Sequence, residues 1–114
     1  MIAGLIDNAM ADFERTLLSN WTPCSGMAAR DLIEGLSICH VELILIHPFR
    51  DGNGRIGRLL ATIMALQAGF PQLDFSLMDR DKARYVAAIH AGKGHDYGPM
   101  ESIFSEIVSS LRHD

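Results

Sequence analysis

The sequence predicts an all-α fold: one domain over residues 1–114, with about five helices packed around the second of them. Three observations carry that expectation. Apolar residues recur at steps of three and four along most of the chain, which is the spacing of one helix face. All four prolines, Pro23, Pro48, Pro71 and Pro99, fall at the boundaries of those periodic segments. The one alternating stretch, Leu73-Asp74-Phe75-Ser76-Leu77, is too short for more than an extended connector.

Taken in order, Ile2, Leu5, Ile6, Ala9, Met10, Phe13 and Leu17 mark an amphipathic first helix, with Asn20 as its stop. Residues 21–26 read as a loop. The second helix runs from about Met27 to Ile46. Its apolar residues, Leu32 through Leu45, cover most of its circumference, which is why it takes the central place. Pro48 ends it, because proline disfavours helical geometry in the residue before. Ile56, Leu59, Leu60, Ile63, Met64 and Leu66 form a third helix, stopped by Gly69 and Pro71. Asp79 is placed to cap a fourth helix through Tyr85, Val86 and Ile89 to about Ala91. Residues 92–98 hold three glycines and read as a loop. Pro99 then suits a first helical position, and Met100, Ile103, Phe104, Ile107, Val108 and Leu111 form the last stripe.

Composition narrows the function classes. A net charge of −4 with no basic run argues against nucleic acid as a partner. The two cysteines, Cys24 and Cys39, have neither metal-ligand spacing nor a disulfide framework, and each is expected to pack as a small apolar residue. No secretory leader and no membrane-spanning run is legible, so the expected compartment is the cytoplasm.

The chemistry concentrates in residues 47–58, His47-Pro48-Phe49-Arg50-Asp51-Gly52-Asn53-Gly54-Arg55-Ile56-Gly57-Arg58, held between two apolar helices. Gly52 and Gly54 allow positive φ and close backbone approach. Successive amides in such a turn make an anion nest, reinforced by the positive end of the helix that begins near Arg55. Arg55 and Arg58, three apart, reach the same side of that helix. Two arginines at a helix N-terminus oppose the dipole, which implies a compensating anion. Asp51 offers a hard oxygen suited to Mg²⁺, and His47 is the side chain here that titrates near neutral pH. A phosphate cradle, a metal ligand and a general base thus lie within twelve residues.

These twelve residues resemble the signature of the Fic family, H-P-F-x-[DE]-G-N-G-R-x-x-R, with every fixed position matched. The resemblance continues through Leu59-Leu60, Gly69-Phe70-Pro71 and residues 85–98 to the last helix, and upstream over two helices. It implies AMP transfer from Mg-ATP to a serine, threonine or tyrosine hydroxyl of a target protein. His47 would be the base. Asp51 would hold Mg²⁺ against the α- and β-phosphates, Asn53 would contact the α-phosphate, and Arg55 and Arg58 would face the β- and γ-phosphates. Gly54 stands where a kinase-like branch has lysine, which favours AMP over phosphate transfer. Tyr85 aligns best with an aromatic that would stack on adenine, and is weighed against the more frequent case of a core tyrosine. Phe49 is expected to anchor the loop.

Two features depart from the family pattern. The strand–turn–strand flap that usually precedes the motif is not legible, so a catalytically silent relative that binds nucleotide or a partner protein is the competing reading. A metal-dependent hydrolase built on His47 and Asp51 would need further ligands. The inhibitory S/T-x-x-x-E-[G/N] helix of many relatives has its spacing at Ser102 to Glu106, but Ile107 follows. Glu106 is therefore weighed as an inhibitory partner of Arg58 against the simpler reading of a solvated residue. The resemblance leaves room for a small antitoxin-like inhibitor chain and for a homo-oligomer.

Overall fold

The computed structural model describes residues 3–22, 26–46 and 53–111, and these form six helices with no strand among them. Helix α1 covers residues 3–21: α-helical over Ala3–Asp12, π-helical over Phe13–Leu18, with a closing turn Ser19–Trp21. It runs past Asn20, the expected stop. Phe13 fixes it to the core, and the Thr16 hydroxyl donates back to the Asp12 carbonyl at 2.6 Å.

Helix α2, Ala29–Ile46, is the central element, packing against α1 and three later helices. Leu32, Leu36, Cys39, Val41 and Leu43 are buried around it, as its all-round apolar pattern requires. Helix α3, Asn53–Gln67, begins two residues earlier than expected and stops where Gly69 adopts φ +87°, a left-handed conformation open to glycine at no steric cost. Its buried face differs from the expected stripe. Gly57, Ala61, Met64 and Ala65 turn inward, whereas Ile56, Leu59, Ile63 and Leu66 are exposed. Small residues win the inner face because they let the backbone approach α2 closely. A Cβ at Gly57 would lie 3.0 Å from both His40 Cε1 and Ile44 Cδ1.

The segment read as an extended connector contains a short helix, α4, Ser76–Arg80. Asp74 accepts from the Ser76 amide at 2.9 Å to start it, and Met78 is buried beneath it. This corrects the expected cap of the next helix. Asp79 lies inside α4, and Asp81 caps α5, Lys82–Lys93, by accepting from the Arg84 amide at 3.2 Å. Gly92 is the last buried contact of α5; a Cβ there would come within 2.4 Å of Val41 Cγ1 on α2. Helix α6, Gly98–Ser110, carries proline in its first turn, as expected, and buries Met100, Ile103, Phe104, Ile107 and Val108 against α2 and α5. Among the described residues no helix is long and apolar enough to cross a membrane.

Candidate functional site

The motif joins the C-terminal end of α2 to the N-terminal end of α3. His47, Phe49, Asp51 and Gly52 lie outside the described residues, as do Pro48 and Arg50. Asn53 opens α3, with Gly54, Arg55 and Arg58 following in its first two turns. Gly54 does not take the positive φ that a nest would use; its backbone is helical. Gly52, the other glycine of the expected nest, lies outside the described residues; the first-turn amides of α3 have no carbonyl partner within the helix and can face an anion. Arg55 is exposed.

Arg58 is held from the far side of the sequence. Its two terminal nitrogens donate to Asp79, Nη2 to Oδ1 at 2.7 Å and Nη1 to Oδ2 at 3.3 Å. Its guanidinium carbon stands 5.8 Å from the centre of the Phe75 ring, within cation–π range. The Arg58 guanidinium hydrogen-bonded to Asp79 keeps that carboxyl below its ordinary range, and the same bond raises the arginine. Sequence periodicity gave no sign of this bracket. The available signal was the four-residue spacing of Phe75 and Asp79, an aromatic and an acid turned to one side of a short helix.

Beneath Arg58 lies a buried polar pair. His40 on α2 is 1% exposed, and its Nε2 is hydrogen-bonded to the Tyr85 hydroxyl on α5 at 2.7 Å. Its Nδ1 is buried against Gly57 of α3 and has no hydrogen-bond partner of ordinary geometry among the described residues. Burial pushes the His40 pKa down to about 4; polar contact with the Gly57 backbone counters this in part, and the Arg58 charge adds to the lowering. Tyr85, weighed as a purine contact or a core tyrosine, turns its hydroxyl inward, and burial raises its pKa. Tyr97 donates to Glu42 Oε2 at 2.8 Å, and its pKa is pushed up to about 12 by burial first and by that bond second.

Glu106 pairs with Arg84, not with Arg58. Glu106 is exposed, as the solvated reading expects, and its ion pair lies on the α5–α6 surface, so the carboxylate facing Arg58 belongs to Asp79. A cleft of about 740 Å³ between Arg30 and Ile33 of α2 and Glu101 and Ser105 of α6 opens near the other end of α2 and holds no motif residue. Among the described residues no three metal-ligating side chains gather. That is compatible with Mg²⁺, which binds through one or two carboxylates plus substrate phosphates.

The comparisons agree with this architecture. Residues 4–65 match the Fic/DOC family. The protein adenylyltransferase fic-1 of Caenorhabditis briggsae is 38% identical over 81 residues, 71% of this chain and 16% of that protein. A protein adenylyltransferase of Bartonella henselae is 40% identical over 62 residues, 54% of this chain and 11% of its own length. The crystal structure of BepC, a VirB-translocated effector protein from Bartonella tribocorum with bound AMPPNP, superposes with a TM-score of 0.73 at 28% identity. It covers 90% of this chain and 47% of that one. The chain belongs to the Fic/DOC family. It spans about a sixth of the length of the nematode relative it matches.

Proposed function

We propose that this chain carries the nucleotidyl-transfer site of a protein adenylyltransferase, moving AMP from Mg-ATP to a serine, threonine or tyrosine hydroxyl of a target protein. The observation that carries the reading is the unbroken residue 47–58 motif, whose Arg55 and Arg58 rise from the N-terminal turns of α3. The likeness to BepC, whose structure holds an ATP analogue, supports the same nucleotide class.

In this reading His47 removes the proton from the acceptor hydroxyl. The oxygen attacks the α-phosphorus in line, a P–O bond forms, and the bond to the bridging oxygen breaks as pyrophosphate leaves. Arg55, Arg58 and the first-turn amides of α3 balance the charge carried off by the pyrophosphate, and Asn53 contacts the α-phosphate region. Asp51 would hold Mg²⁺, which supplies neutralisation of phosphate charge. The kind of partner implied is a protein bearing the hydroxyl, with an antitoxin-like inhibitor chain as a second class. A cytoplasmic site of action, where ATP is available, belongs to the same proposal.

The test combines α-labelled ATP, Mg²⁺ and a cell lysate with the wild-type chain or His47→Ala. Label on a protein band, lost in the variant, is the expected result. No label from wild type, with ATP binding that Arg58→Ala weakens, would sink the transferase reading in favour of a silent nucleotide-binding relative.

A further inference from the structure

We propose that Asp79, together with Phe75, is the positioning element for Arg58, holding its guanidinium in place before nucleotide arrives. This rests on the nucleotide reading above. Arg58 sits on α3 in the motif, whereas Asp79 and Phe75 come from the α4 segment, 21 and 17 residues further along. An unrestrained arginine has several rotatable bonds, and fixing it on a ligand costs binding free energy. Here that cost is met in advance. Asp79 takes the end of the fork through both terminal nitrogens, and Phe75 supports the guanidinium at cation–π distance. Asp79 occupies one N–H on each terminal nitrogen, so the Nε edge of the fork remains for a phosphate.

Stability gives no sufficient reason for the arrangement. The side chains of Arg58 and Asp79 are 32% and 68% exposed, and pairs that open to water add little to folding. Yet the α4 segment is secured so as to present them. The Asp74 carboxylate fixes its start, Met78 is buried under it, and the Asp81 amide closes it on the Leu77 carbonyl. Asp79, its pKa lowered by Arg58, stays charged at neutral pH, so the bracket is in place under working conditions.

Calorimetry with ATP and with ADP on wild type, Asp79→Asn, Arg58→Ala and the double variant tests this. The Asp79 side chain is 68% exposed, so substitutions at this position should fold. Asp79→Asn is expected to weaken ATP binding about 3- to 10-fold, the scale set by ordering one long side chain. ADP binding should stay within about twofold, because Arg58 is assigned to the γ-phosphate. In the Arg58→Ala background the same substitution should add nothing, and Asp79→Glu should recover part of the loss. Asp79→Asn binding ATP as tightly as wild type, or more tightly, overturns the inference, since the carboxylate would then be a bystander or a competitor of the phosphate. Equal losses for ATP and ADP overturn it too. A wild-type chain that binds no ATP instead defeats the nucleotide reading itself, and this inference with it.

Discussion

Phe104→Ala is expected to lower the stability of this fold by about 3–5 kcal/mol, the range for emptying a buried aromatic site. The ring is fully buried on α6, where it meets α2, and it stands edge-on to His40 with centroids 5.5 Å apart. Truncation would therefore open a cavity and also strip one side from the buried polar pair. A domain of this size is stable by about 5–15 kcal/mol in all, so the variant should approach the edge of folding. Urea denaturation monitored by circular dichroism measures it. Val86→Ala is the control: Val86 is 44% exposed, and its loss should change stability by no more than about 0.5 kcal/mol. A Phe104→Ala cost below about 1 kcal/mol would mean that the α2–α6 contact is not the centre of the core.

The second large effect is a loss of stability in mild acid. His40 has a pKa of about 4 in the folded chain against 6.5 when solvated, because burial disfavours its cation. Between those values only the unfolded chain takes up the proton, so falling pH pulls the equilibrium towards unfolding. The contribution is complete above pH 6.5 and lost as pH drops to about 4. It amounts to roughly 3 kcal/mol, at about 1.4 kcal/mol per pH unit. Carboxylates such as Asp79, lowered by their partners, add losses of the same sign at more acid pH. Urea unfolding at half-unit steps from pH 7.5 to 4.5 should give a sloping line for wild type. His40→Gln should be less stable at neutral pH and nearly flat across the window. A wild-type profile as flat as the variant's would show that His40 is solvated, or already charged, in the fold.

Much of the architecture was legible because helices report themselves locally. The central role of α2 followed from apolar residues on all its sides, and α6 was framed correctly by Pro99 and its stripe. The motif was legible for a different reason: many specific residues at fixed spacing carry more information than periodicity does. What escaped was decided between elements. The inward face of α3 was misjudged because hydrophobicity alone favours Ile56, Leu59 and Ile63, whereas close approach to α2 selects Gly57 and Ala61. Asp79 read as a cap because an acid before a helix usually is one, and its partner lies 21 residues earlier. The bond between His40 and the Tyr85 hydroxyl joins α2 to α5 across 45 residues, which no local spacing reports.

The outward row of Ile56, Leu59, Ile63 and Leu66 also has a bearing on how the chain behaves in concentrated solution. Single exposed apolar side chains are ordinary, but four at steps of three, four and three form one continuous greasy strip. Sulfate and other salting-out agents strengthen attraction between such strips. Colloidal behaviour thus depends in part on the same helix that carries Arg55 and Arg58, and glutamate at position 63, which adds to the net charge of −4, would improve solubility without entering the core.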